Sequence, residues 1–125
     1  MNQRAKGARH EKAVADYLAA QGYMTERGFK KVAFIRGRPM PITKDLFAAF
    51  DIVAIRPPAE VRFIQVTSGA VAVRRAKAFA VWPQAEVWEH LRAGVYRIHR
   101  AEGSQVVDVA AGAEDNLTRD NNLGG

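Results

Sequence analysis

Asp51, Gln65 and Thr67 are the residues best able to do chemistry. Asp51 lies near the start of Phe50-Asp51-Ile52-Val53-Ala54-Ile55, and Gln65 and Thr67 close Phe63-Ile64-Gln65-Val66-Thr67. Both stretches are apolar runs of strand length, and each is interrupted by a polar side chain that packing alone would not select. A buried carboxylate is costly unless it is paired or holds a metal. In an extended chain Asp51, Val53 and Ile55 share one face, and Phe63, Gln65 and Thr67 share one face of theirs. If the two strands are neighbours, Asp51 lies near both Gln65 and Thr67. A carboxylate, an amide carbonyl and backbone oxygens suit Mg²⁺ or Mn²⁺. Such an ion activates water and offsets charge developing on a phosphate, which is what phosphodiester hydrolysis requires. The same residues also admit a structural reading, with Asp51 capping a strand and Gln65 bonding a neighbouring turn. Asp45 could join the site from the entering loop or serve as a loop cap.

The elements that must position these residues follow from periodicity. Residues 7–21 carry Val14, Tyr17 and Leu18 as an apolar stripe at helical spacing, with Gly22 as the stop. Strand-like pieces follow at Tyr23-Met24 and at Val32-Ala33-Phe34-Ile35. Residues 36–41 read as a loop, because Pro39, Pro41 and Gly37 do not suit a central strand. The run 50–55 reads as a strand covered on both faces, residues 56–60 as a turn, and 61–67 as the returning strand. A helix is expected from Ser68-Gly69 to about Ala80, with Val73, Ala76, Phe79 and Ala80 on its apolar side. Residues 85–90, 94–99 and 104–109 read as further short strands, and Trp82 and Trp88 as core. The order is that of a single-domain α/β protein around one sheet.

Charge and composition narrow the class. One domain of 125 residues can bury a core without disulfide or metal staples. The chain has no cysteine, which excludes disulfides, thiolate metal sites and thiol nucleophiles together. Residues 1–100 hold 18 Lys and Arg against 8 Asp and Glu, a net of +10, and the total falls to +6 only through the acidic stretch that follows. Such an excess favours a polyanionic partner through phosphate contacts and counterion release, although many small proteins are basic for solubility alone. Residues 1–110 are read as the folded domain and 111–125 as a disordered acidic tail. No run approaches the ~20 apolar residues of a membrane span. The basic start, Met1 to Lys6, precedes no apolar core and is not read as a secretory signal. A soluble, cytoplasmic protein is expected.

The pattern resembles the PD-(D/E)XK nuclease superfamily, in particular small members similar to archaeal-type Holliday-junction resolvases and related phage proteins. The matching pieces are Gly7-Ala8-Arg9-His10-Glu11 with Val14, Tyr17-Leu18 and Gly22-Tyr23, then Phe50-Asp51-Ile52-Val53-Ala54-Ile55, then Gln65-Val66-Thr67, then a basic helix with Arg74, Arg75 and Lys77. These pieces span residues 7–80. The resemblance implies an αβββαβ restriction-endonuclease-like core with a mixed central sheet. It implies metal-dependent DNA cleavage, on branched or structured DNA, with Mg²⁺ or Mn²⁺ held by Glu11, Asp51 and Gln65. It also makes a homodimer an expectation.

The chain departs from that pattern at two positions. Gln65 replaces an acid, keeping a ligating carbonyl but losing a charge. Thr67 replaces a lysine; its hydroxyl can hydrogen-bond water but supplies no positive charge. Lys77, Arg74 or Arg75 could supply that charge from the following helix, or contact phosphates instead. Arg27, Lys30, Lys31, Arg36 and Arg38, with Gly28, Phe29 and Gly37 between them, form a second basic segment that reads either as a DNA-gripping arm or as a solvated hairpin. The alternative to an enzyme is a nuclease fold that has lost its chemistry and serves as a DNA-binding or assembly module. His10 projects about 100° from Glu11 around the helix and reads as a surface residue. His90 and His99 have no partner at metal-ligand spacing.

Overall fold

The computed structural model describes residues 3–44, 46–47, 49–110 and 113–114. Helix α1 (Gln3–Ala20) is followed by strands β1 (Met24–Arg27), β2 (Phe29–Ile35), β3 (Arg38–Lys44), β4 (Ile52–Arg56) and β5 (Glu60–Thr67). Helix α2 (Val71–Val81) then leads to β6 (Glu86–Arg92), β7 (Val95–Arg100), β8 (Gly103–Asp108) and the two-residue β9 (Ala113–Glu114). The main sheet runs β1-β4-β5-β6-β7-β8-β9, and β2-β3 form a separate two-stranded hairpin. All pairings in the main sheet are antiparallel except β5 with β6. The protein is thus α/β with a mixed central sheet. With the hairpin set aside, its first six elements run α, β, β, β, α, β. Of the tail read as disordered, Ala113–Glu114 pair with Val107 and Asp108; the rest of that stretch lies outside the described residues.

Helix α1 packs on one face of the sheet through Val14, Ala15, Tyr17 and Leu18, against Ile52, Ala54, Ile64, Trp88, Tyr96, Ile98 and Val107. It ends in a Schellman turn. Tyr23 N–H bonds the Leu18 carbonyl and Gly22 N–H the Ala19 carbonyl, while Gly22 takes φ 94°, which a side chain would strain. Helix α2 covers the other face, where Ala78 meets Phe50, Val87 and Phe63.

Three expectations are corrected here. Residues 38–41 are strand, not loop. Arg36 and Gly37 both have positive φ, so a two-residue turn makes Ile35–Arg38 the hydrogen-bonded pair. Pro39 and Pro41 then occupy positions whose nitrogens point away from β2, and β3 has no neighbour on that side among the described residues. Helix α2 starts at Val71 rather than at Ser68, because Thr67 closes a side-chain turn onto Gly69 and Ala70 is left-handed. Its packed side runs through Ala78 and Phe79, while Val73, Ala76 and Ala80 face solvent. Trp88 is core, but Trp82 caps α2 and is 43% exposed.

The α1 face also buries a charge network at the end of the sheet near the α1 C-terminus. Arg62 grips Glu86 with two bonds of 2.8 and 2.9 Å, and Trp88 Nε1 donates to the same carboxylate at 2.9 Å. Tyr23 lies between Arg56 and Arg62, 4.4 and 5.5 Å from its ring centre. The hydrogen bond from Arg56 holds the Glu60 carboxyl below its ordinary range. That exposed pair therefore contributes at neutral pH and is lost as the pH falls through the lowered Glu60 value. Glu86→Ala removes the partner of a buried guanidinium and of an indole, and should cost about 3–5 kcal/mol in urea unfolding followed by Trp88 fluorescence. Lys12→Ala, at the exposed Lys12–Asp16 pair, should change almost nothing in the same experiment.

Candidate metal and phosphate site

Asp51 sits where β4 separates from β5, and four hydrogen bonds fix it there. Its N–H donates to the Ile64 carbonyl and its own carbonyl accepts from Gly28, both at 2.9 Å. Its Oδ2 accepts the Val66 N–H at 2.7 Å and Gln65 Nε2 at 3.0 Å. The Val66 N–H is a ladder donor that β4 no longer satisfies, so the carboxylate takes the place of the missing strand. Backbone N–H groups lie in the plane of a sheet, and the Asp51 carboxylate therefore does too. Asp51 is 8% exposed and Gln65 3%.

Gln65 approaches from the α2 face, since Ile64 beside it packs on the α1 face. Its amide nitrogen is committed to Asp51. Its carbonyl oxygen Oε1 is buried with no hydrogen-bond partner among the described residues. A buried, unsatisfied acceptor beside a carboxylate calls for a bound water or cation. The period-two reading of Asp51 beside Gln65 is thus what the structure displays.

Glu11 approaches from the opposite face. It continues the buried stripe of α1, at Glu11, Val14, Ala15 and Leu18, and is only 6% exposed. The Arg27 guanidinium lies 3.7 Å from it and also bonds the Ala8 carbonyl at 3.3 Å. Arg27 is paired with Ile52 across β1 and β4, one residue from Asp51. Glu11, Arg27, Asp51 and Gln65 therefore share one end of the sheet, at the carboxyl ends of the parallel strands β5 and β6, where open α/β sheets bind ligands. Among the described residues no three His, Cys, Asp or Glu side chains form a group that could hold a metal. A cation held there would take an oxygen from Gln65 beside the two carboxylates. Two carboxylates and an amide oxygen suit a hard ion, and the orphaned Oε1 is the observation that makes the residues fit one.

Other predicted members fall differently. The Thr67 hydroxyl bonds the Gly69 carbonyl and accepts the Gly69 N–H at 3.1 Å, so it shapes the turn into α2. Arg75 and Lys77 are exposed on α2, and Arg75 lies 5.5 Å from the Phe79 ring centre. Arg74 is half-buried. Lys77 is six residues into α2, about 9 Å along its axis from the first turn, so Arg74 is the nearer of the two to Thr67. Asp45 lies outside the described residues. Lys30 and Lys31 are on β2, and Arg36 and Arg38 at the exposed hairpin turn. His10 is half-buried rather than a surface residue: its Nδ1 is 3.0 Å from the Tyr96 hydroxyl and its ring stacks 4.1 Å from that of His90.

Arg27, read from the sequence as the start of the basic hairpin segment, lies instead beside Glu11. That place depends on its register with the Asp51 strand, which a hairpin of unknown length separates from it in sequence. Comparison with known protein families, with characterised proteins and with solved structures finds no match for this chain.

Two substitutions separate structure from chemistry at Asp51. Asp51→Asn keeps an acceptor for Val66 N–H, and Gln65 can turn its amide to present Oε1 to the new NH₂. Its unfolding free energy should stay within about 1 kcal/mol of the parent. Asp51→Ala strands two buried donors and should cost about 2–4 kcal/mol in urea titration.

Proposed function

We propose that this protein is a metal-dependent DNA endonuclease that hydrolyses phosphodiester bonds, in the manner of PD-(D/E)XK nucleases. The observation that carries this reading is the buried, unpartnered Gln65 Oε1 beside the Asp51 carboxylate, with Glu11 at the same end of the sheet. Asp51, Gln65 and Glu11 would hold Mg²⁺ or Mn²⁺. That ion, when bound, supplies an activated water and offsets the charge of the phosphate.

The chain's own residues do the rest. Val66 N–H and Gln65 Nε2 lock the orientation of the Asp51 carboxylate. In this structure Nε2 faces Asp51, and Oε1 would join an ion shared with Asp51 once the amide turns over. Arg27 lies beside Glu11 and offers the positive charge that Thr67 cannot. Arg74, Arg75 and Lys77 on α2, and Lys30, Lys31, Arg36 and Arg38 on the hairpin, are the phosphate contacts. Among the described residues no helix is long and apolar enough to cross a membrane.

A second reading, a DNA-binding or assembly module without chemistry, draws on a different observation. The Asp51 Oδ2 already accepts two hydrogen bonds, and the Thr67 hydroxyl is engaged with Gly69. Cleavage of a labelled panel of duplex, flap and four-way-junction DNA with Mg²⁺ or Mn²⁺ decides between them. The parent protein should cut at least one substrate, and Asp51→Asn should lower the rate about 100-fold or more while staying folded. Intact DNA throughout, with binding retained, overturns the nuclease reading in favour of the module. In the same panel log K for DNA should fall with log salt at a slope near −6 for about seven phosphate contacts; a flat response removes DNA as the partner.

A further inference from the structure

A second cavity opens on the other side of Glu11. It is a cleft of about 570 Å³ lined by Arg9, His10 and Ala13 of α1, His90 of β6, Ala93 and Gly94 of the β6-β7 turn, and Tyr96 of β7. Its floor is aromatic. The His10 and His90 rings lie 4.1 Å apart at a tilt of 32°, and Tyr96 meets them edge-on at 6.0 and 5.3 Å. The Tyr96 hydroxyl pins His10 through Nδ1 at 3.0 Å. Burial pushes the Tyr96 phenol above its ordinary range, so it stays protonated and keeps that bond. The strand irregularity between His90 and Arg92 brings the turn round to form the far wall. That wall and Ala13 carry no side chain beyond Cβ, which keeps the space open.

The lining contains one guanidinium, Arg9, at the exposed rim and no acidic side chain. Flat rings, a cation at the mouth and small walls complement a planar π-system that carries a phosphate. A metal ion fits less well, because one nitrogen of His10 is held by Tyr96 and the lining has no carboxylate. The cleft and the Asp51 site lie on two sides of the same turn of α1, since His10 and Glu11 are adjacent and point about 100° apart. A strand with a phosphate at Glu11 would have a neighbouring nucleotide within reach of His10.

We infer that this cleft binds an unpaired nucleobase, so that the protein prefers DNA with a single-stranded nucleotide beside the phosphate it engages. The inference rests on the nuclease reading for its place along the strand, but the cleft's stacking surface can be tested without cleavage. Binding of a labelled oligothymidylate, and of an abasic oligomer with the same number of phosphates, is measured by fluorescence anisotropy in EDTA. The abasic strand presents the same charge and no rings, which isolates stacking from electrostatics. The parent should favour oligothymidylate about tenfold, as expected for one stacked base. His90→Ala should abolish that preference and leave the affinity for the abasic strand unchanged. Ala93→Glu, in an exposed turn where folding is not at stake, should lower oligothymidylate affinity more than duplex affinity. Equal binding of the two oligomers by the parent, or a preference that survives both substitutions, overturns the inference. A His90-dependent preference in a protein that cuts no DNA overturns the nuclease reading alone.

Discussion

The carboxylate of Asp51 is the constraint on which the rest of this end of the molecule depends. At the point where β4 leaves β5, a backbone donor in the middle of a sheet would otherwise be stranded. Asp51 accepts it, and its main chain simultaneously ties β4 to Gly28 beyond β1 and to Ile64 of β5. An ionised carboxylate forms stronger bonds to N–H groups than a neutral acceptor would. The separation of two strands and the presence of a buried charge thus require each other. The opening this creates gives Glu11, on one face, and Gln65, on the other, access to a common region.

Glutamine at position 65 makes that arrangement compatible with a buried charge. A glutamate placed 3.0 Å from Asp51 would force one of the two carboxyl groups to hold a proton unless a cation were always present. The amide instead donates to Asp51 at 3.0 Å, and its neutral oxygen faces away from that bond. The cost is one unit of negative charge in any cation site, and therefore weaker attraction for a divalent ion. Glu11 beside Arg27 is likewise partly neutralised. Both carboxylates thus have partners within the chain, in contrast to clusters of carboxylates that only an ion can hold together.

The pairing of Asp51 with Gln65 was legible because strand periodicity fixes which side chains share a face, and two polar residues inside apolar runs stand out. Glu11 was legible only through resemblance, although its place on the Val14–Leu18 stripe is a physical signal of the same kind. What could not be read depends on contacts between distant segments. The prolines of β3 argue against a strand until one knows that β3 has a single neighbour. The packed side of α2 was misassigned because all its residues but Arg74, Arg75 and Lys77 are apolar or small, so spacing alone does not show that Ala78, rather than Val73 or Ala76, meets Phe50 and Val87. His10 looked superficial because its partners, His90 and Tyr96, lie 80 and 86 residues away on strands whose order is set by the whole sheet. Glu86, likewise, reads as a surface charge until Arg62 and Trp88 are seen to enclose it.

The two charged systems divide the sheet by function. At the end near the α1 C-terminus, Arg56, Glu60, Arg62, Glu86 and Arg100 pair almost completely with one another. Their cations are consumed internally and contribute little to an outside partner. Other cations remain exposed on other elements, among them Arg75 of α2, Arg36 and Arg38 at the hairpin turn, Arg92 of β6, Arg97 of β7 and Arg9 at the cleft rim. The net charge of the chain therefore says little about where its charge is available: the end near the α1 C-terminus is largely neutralised by internal pairs, and the exposed cations lie on other elements. On the proposed nuclease reading, a polyanion would meet the strand opening and the aromatic cleft on either side of a single turn of α1, with charge drawing it in and local geometry selecting the phosphate and the base.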